Sequence, residues 1–383
     1  MTSHSGERHT VTLFLTGDVM TGRGIDQILP HPCEPQIDEP EVTSAYEYVE
    51  LAERAHGKIV GPPEFSYIWG DVLGEFERRR PTVRIVNLET AVTVGGEPCG
   101  GRAIHYRMNP RNVECLTAAG IDCCVLANNH TMDWGRDGLS ETVRALRAAG
   151  VSTAGAGMNL AEACRPAQIE LSERHRVLVF AYGTADSGIP SEWEATEYRP
   201  GVCVLDDLSP YIVQEVAGQV AAWKRSGDVV IVSLHWGGHW GYEVSDEQRH
   251  FAHQLIDVAG VHLVHGHSAH HPKPIEVYRD KLILYGCGDL LNDYEGIGGY
   301  ERYRPELGLM YFPEVDLETG DLIELTMTPT CTSRLQVNRA DRNAARWLGA
   351  TLSRECRPFG TLLTQLPDDR FTLGRTEAVK AIA

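Results

Sequence analysis

Short apolar runs alternate with amphipathic stretches along most of the chain. VTLFLT (11–16), VRIVNL (83–88) and IDCCVLA (121–127) are rich in β-branched and large apolar residues, and each predicts a buried strand. Asn109-Pro110 is an N-cap followed by proline at the first helical position, and Gly120 closes that short helix. In GLSETVRALRAAG (138–150), Leu139, Val143 and Leu146 recur at helical spacing, and Gly150 caps the end. The alternation continues as strand RVLVFAYG, helix YIVQEVAGQVAAWKRSG, strand DVVIVSL, helix DEQRHFAHQLIDVAG and strand VHLV. This order predicts an α/β fold, with a largely parallel sheet and helices on its faces.

The pattern then changes. IEVYRDKLILYG (275–286) and LGLMYFPEVDLETGDLIELTMT (307–328) predict C-terminal antiparallel hairpins, turning at Arg279-Asp280 and between Glu318 and Asp321. ADRNAARWLGATLSREC predicts a last helix before a polar tail. No repeat or linker divides the chain, so residues 1–330 are expected to form one domain, with 331–383 packed on it as a helix and tail. Residues 25–80, rich in proline, and residues 187–200 are expected to be excursions near the strand ends; loops of that length tend to be functional.

The formal charge of −18, from 35 basic and 53 acidic side chains, argues against nucleic-acid and anionic-membrane partners. The start, MTSHSGERHT, has no apolar core, and runs such as VLVFAY are too short to span a bilayer, so a cytoplasmic protein is expected. Ten cysteines without CxxC pairs read as reduced, mostly buried thiols.

Polar residues recur where strands run out. TLFLTGDVM ends on Asp18, RIVNLE on Asn87 and Glu89, and CCVLANNHTMD on Asn128, Asn129, His130 and Asp133. VIVSLHWG ends on His235, and VHLVHGH on His265 and His267, with His270 three residues on. A single Asp or Asn there is ordinarily a turn or cap, and a single His a satisfied polar group. Recurrence at five strand ends predicts a shared pocket, because ligands bind beyond the carboxyl ends of strands in open α/β sheets. Mixed carboxylate, amide and imidazole groups suit a divalent metal (Mn, Fe, Zn or Ca) or an acid–base constellation. No organic cofactor is expected.

In order, GDVMTGRG, NLET, LANNHTMDWG, HWGGHW and HGHSAHHPKPIEVYRDKLILYGCGD resemble the CapA family of poly-γ-glutamate capsule biosynthesis proteins, itself similar to the calcineurin-like metallophosphoesterases. The resemblance spans roughly Thr12 to Asp293. It implies a four-layer αββα sandwich of metallophosphoesterase type, with Asp18, Glu89, Asn129, His235 and His267 as metal ligands. It implies Asp18, His130, His235, His267 and His270 as the catalytic set. Met20 stands where the phosphoesterase pattern has a histidine, and Leu88-Glu89 replaces its Gly-Asp, which removes one strong ligand of a two-metal centre. Asp289 stands where capsule proteins commonly have asparagine, adding a carboxylate. Capsule members are typically tethered by an N-terminal membrane segment, and none is expected here.

These departures favour proton transfer over phosphoester hydrolysis. Some soluble CapA-like proteins resemble epimerases of ribosomally made (lasso-type) peptides, so the leading expectation is a peptide epimerase inverting a Cα centre, with a precursor peptide as partner. A metal-dependent phosphoesterase and a poly-γ-glutamate capsule biosynthesis protein are the alternatives. Arg23, Asn128, Trp134, Arg136, Trp193 and Trp236 are the substrate-binding candidates. Arg23 and Arg136, with Arg102 and Arg107, are guanidinium forks able to grip a substrate carboxylate or phosphate.

Overall fold

The computed structural model describes residues 9–61 and 63–375. The polar start MTSHSGER, Pro62 and the end of the polar tail fall outside the described residues. The strands that build the site are, in chain order, β1 (Thr10–Val19), β2 (Val83–Leu88), β3 (Cys123–Val125), β4 (Ser152–Ala154), β5 (Ala167–Glu170), β6 (Arg176–Thr184), β7 (Asp228–His235) and β8 (Leu263–His267). After them come β9 (Ile275–Tyr278), β10 (Lys281–Leu284), β11 (Asp289–Leu291), β12 (Leu307–Asp316), β13 (Leu322–Thr332), β14 (Val337–Arg339), β15 (Thr361–Gln365) and β16 (Phe371–Arg375). The helices used below are α1 (Gly24–Ile28), α2 (Tyr46–His56), α3 (Asp71–Arg79), α4 (Gly135–Ala148), α5 (Pro210–Trp223), α6 (Asp246–Asp257) and α7 (Arg342–Cys356).

The first sheet runs β15-β16-β13-β12-β1-β2-β3-β4, with β11 also on β1 and β14 on β13. β1 to β4 are parallel, whereas β12 lies antiparallel to β1 and carries the C-terminal strands outward. In the second sheet β6, β7, β8 and β10 are parallel and β9 closes the edge antiparallel to β10. The β9–β10 turn is where the sequence places it, with Arg279 and Asp280 both at positive φ (47° and 62°), as a two-residue hairpin of matching twist requires.

Period-two alternation assigns each face of the second sheet. Val177, Val179, Ala181, Val229, Ile231, Leu263 and Leu282 share one buried cluster with Leu13, Leu15 and Ile85 of the first sheet. Their neighbours Leu178, Phe180, Val230, Val232, Val264 and Ile283 pack instead with Val213, Val216, Phe251 and Leu255 of α5 and α6. The outer side of the first sheet is covered by α3, through an edge-to-face contact of Phe14 with Phe76 at 4.7 Å, and by α4. The molecule is therefore a mixed α/β fold with two packed sheets.

Three expectations change. The 25–80 excursion holds α1, α2 and α3; its prolines sit between helices rather than preventing them. β8 extends through His267, so two of the histidines belong to the strand itself. Cys164 and Cys203 form a disulfide across 39 residues, the one departure among the described cysteines from the expected reduced thiols: it joins the turn after the short helix 160–163 to the start of the strand at 204–205. Among the described residues no helix is long and apolar enough to cross a membrane.

Candidate functional site at the strand ends

The carboxylate half of the site lies where β1 and β2 end and β11 begins. Asp18 pairs in register with Asp289 on one side and Asn87 on the other. This approach requires glycine at position 17, where a Cβ would lie 1.9 Å from the Gly288 carbonyl oxygen. Asn87 Nδ2 donates to Asp18 Oδ1 at 2.7 Å and to Glu89 Oε2 at 3.3 Å, and Asn128 Nδ2 donates to Asn87 Oδ1 at 3.0 Å. Asn128 is thus scaffold, holding the amide that holds the carboxylates. Asn292 braces Asp289 at 2.8 Å.

Asp18 and Glu89 are fully buried. Burial and then the neighbouring Asp289 push Asp18 up to about 7, and burial together with Asp18 raises Glu89 well above the carboxylate range. Asp18 Oδ2 and Glu89 Oε1 have no hydrogen-bond partner.

The imidazole half comes from the second sheet. His235 at the end of β7 faces its register partner His267, Nδ1 to Nδ1 at 2.8 Å, and His235 Nε2 lies 3.0 Å from Asn129 Oδ1. Ser268, at φ 103°, turns the chain back, with its hydroxyl on the Gly237 carbonyl at 2.9 Å. That strained turn delivers His270 Nδ1 to Asp289 Oδ1 at 2.9 Å, with Asp18 Oδ2 at 3.9 Å. Burial works against a charge on His270, yet Asp289 and Asp18 hold its pKa above the ordinary value. Burial, reinforced by neighbouring cationic groups, keeps His235 and His130 well below theirs. His130 Nδ1 sits on Asp133 Oδ2 at 2.6 Å, leaving Nε2 toward Glu89 Oε1 at 3.8 Å.

Above this floor is a cavity of about 580 Å³ lined by Asn129, His130, His270, His239, Tyr106 and Tyr294, with Arg102 and Tyr48 on its walls and Trp240, Ile297 and Tyr300 at its mouth. Trp240 and Tyr300 stack at 4.0 Å, and Trp240 continues to His270 at 5.4 Å.

The structure brings together Asp18, Glu89, Asn129, His130, His235, His267 and His270, and redistributes the substrate-binding candidates. Arg23 borders the cavity, but its guanidinium is committed to Asp293 (2.5 Å), Glu39 (3.1 Å) and Tyr48 (3.0 Å), so it builds the wall. Arg136 is bound to the Pro200 and Glu192 carbonyls and pins the 187–200 segment. Trp193 is buried beneath Arg102 at 5.0 Å, and Trp236 is buried in the second core with its Nε1 on the Tyr285 carbonyl at 3.0 Å. Trp134 lies under Arg107 at 3.9 Å and lines an adjoining cavity. Arg102 also lies on the cavity wall, held by the Asp133 carboxylate at 3.1 Å and the Gly188 carbonyl at 3.2 Å but with its side chain partly exposed. Tyr106, Tyr294, His239 and Trp240 escaped the sequence reading because they lie on loops with no strand-end register.

Two sets of groups offer ligand atoms within 4.8 Å of one another: Asp18, His235 and His267, and Asp18, His270 and Asp289. Asp18 belongs to both, and Glu89 stands outside both. Burying unpaired carboxylates costs several kcal/mol each, and a cation at the orphaned Asp18 oxygen would offset that cost. Oxygen and imidazole donors of this kind fit a divalent ion such as Mn, Fe or Zn.

Buried strand-end carboxylates thus pack against imidazoles beside a cavity that Asn129, His130 and His270 line. A family model for the bacterial capsule synthesis protein PGA_cap matches residues 12–294, and the chain belongs to that family. Over 366 residues it is 46% identical to a probable polyglutamine synthesis accessory protein of Mycobacterium tuberculosis, covering 95% of this chain and 96% of that one. It is 27% identical over 296 residues to the PGA biosynthesis protein CapA of Bacillus subtilis (77% of this chain, 66% of that one). It is also 27% identical over 190 residues to the capsule biosynthesis protein CapA of Bacillus anthracis (50% and 44%).

Proposed function

We propose that the protein acts in polyglutamate biosynthesis, through a divalent cation held at the strand ends that engages carboxylates of the growing or finished chain. The observation that carries this reading is the buried Asp18–Glu89–Asp289 cluster, whose unpartnered oxygens Asp18 Oδ2 and Glu89 Oε1 lie 3.9 and 3.8 Å from His270 and His130, two of the residues that line the cavity. Membership of the capsule synthesis family and the names of its relatives favour this over a peptide epimerase, for which no relative speaks. The metallophosphoesterase-type sandwich is part of the same proposal, supported by the two packed sheets and the strand-end position of the ligands.

The ligands would be Asp18, His235 and His267, or Asp18, His270 and Asp289. A cation there supplies charge stabilisation at a substrate carboxylate or amide oxygen. The chain's own groups do the rest. Arg102 on the wall is placed to pair with a second carboxylate. His130, oriented by Asp133, is placed to accept a proton at Nε2. The aromatic mouth keeps water from the buried carboxylates.

Replacing the gene in the producing organism by Asp18→Asn or Asp289→Asn versions tests the reading. Polyglutamate yield is expected to fall at least tenfold with each, at unchanged protein level. Polymer of unchanged yield and length would contradict it.

A further inference from the structure

Behind the site runs a line of hydrogen bonds whose direction can be deduced atom by atom. The Thr16 carbonyl only accepts, so His265 Nε2, 2.8 Å away, carries the proton. Neutral His265 then accepts at Nδ1, and the donor at 3.0 Å is the Ser233 hydroxyl. A hydroxyl has one proton to give, so Ser233 Oγ must accept from His267 Nε2 at 2.8 Å. That leaves the His267 Nδ1 lone pair aimed at His235 Nδ1, 2.8 Å away. From the other end Asn129 Oδ1 requires a proton on His235 Nε2 at 3.0 Å, so neutral His235 also turns a lone pair inward. Two lone pairs 2.8 Å apart repel, and the repulsion is relieved when both turn toward one ion beside Asp18, off the line that joins them, because bonds of about 2.0–2.1 Å do not fit between the two nitrogens.

We propose that Ser233 and His265, neither of them a cation ligand, are positioning residues: anchored on the Thr16 carbonyl, they fix His267 in the tautomer whose Nδ1 is free to bind a cation. Both side chains are fully buried inside paired strands, β7 and β8, whose register places Ser233 directly opposite His265. Neighbours of this kind set tautomer and ring orientation, and their loss commonly weakens metal binding about 10- to 100-fold. The proposal rests on the cation reading of the site only for its purpose; the tautomer itself follows from the hydrogen bonds.

The test uses the full chain, labelled with ¹⁵N-histidine and freed of metal, and then titrated with Zn²⁺. In the wild type, His265 and His267 are each expected to carry their single proton on Nε2. Ser233→Ala should set His267 exchanging between tautomers and weaken Zn²⁺ binding about 10- to 100-fold. Ser233→Thr, which keeps the hydroxyl, should restore both. His265→Phe, which cuts the anchor at the other side, should reproduce the alanine result and serves if Ser233→Ala does not fold. A His267 proton on Nδ1 in the wild type, or an alanine variant with unchanged spectrum and affinity, would overturn the proposal. The predicted tautomers without saturable Zn²⁺ binding would uphold the positioning and overturn the cation reading instead.

Discussion

Asp18 gives one oxygen to Asn87 and keeps the other without a partner inside a fully buried cluster. Asp18→Asn preserves the shape and removes a buried charge. The metal-free variant is therefore expected to unfold at a higher temperature than the metal-free wild type, while its Mn²⁺ affinity falls at least 100-fold; thermal unfolding with and without Mn²⁺ reads both. Asp133 offers a pH test. Burial outweighs the pull of Arg102 and raises its folded pKa from 3.8 to about 7. The folded state thus holds a proton that the unfolded chain has already released, so this group's contribution to stability falls as pH rises from about 4 to 7. Denaturant unfolding across that range should show the decline, and Asp133→Asn should make it shallower, with the buried Asp18 and Glu89 still contributing in the same direction. That Asp18, Glu89, His130, His235, His267 and His270 would come together was legible because a strand end is visible as an apolar run that stops. It could not show that Arg23 is held by Asp293, Arg136 by the Glu192 carbonyl and Trp236 by the Tyr285 carbonyl, because a sequence displays a charge or a ring but not the group that occupies it.

Among the elements, β1 carries the strictest demand. Its pairing with β11 brings Gly17 against the Gly288 carbonyl, and Gly17→Ala must push the two strands apart at the point where Asp18 and Asp289 pair. The expected cost is about 1–3 kcal/mol, in the range of core overpacking, together with loss of cation binding; denaturant unfolding and a Mn²⁺ titration measure the two. The central strands β1–β3 and β6–β8 were legible because buried strands are unbroken β-branched runs, whereas the short β4, β5, β11 and β14 and the tail strands β15 and β16 were not. The placement of the C-terminal hairpin was not: nothing in LGLMYFPEVD says that it pairs with β1 and makes half of the first sheet antiparallel. α2, YEYVELAERAH, was passed over as part of a proline-rich excursion, although Tyr48 on its inner face contributes to the cavity wall.

For the whole molecule, the charge of −18 and a polyanionic partner repel at long range. Attraction has to come from the local cation and Arg102. Association with polyglutamate should therefore speed up as NaCl is added from 10 to about 150 mM, the reverse of ordinary basic-patch binding; stopped-flow rates decide it. The Cys164–Cys203 bridge closes a long loop, and its reduction is expected to cost about 2–4 kcal/mol of stability, read by unfolding with and without reductant. The measurement that bears most directly on the account is calorimetric titration of poly-γ-glutamate into the full chain loaded with Mn²⁺, repeated after chelation and with Asp18→Asn. Saturable binding that weakens at least tenfold both on chelation and in the variant is the predicted result. Binding of equal strength in all three, or none with Mn²⁺ bound, would contradict it.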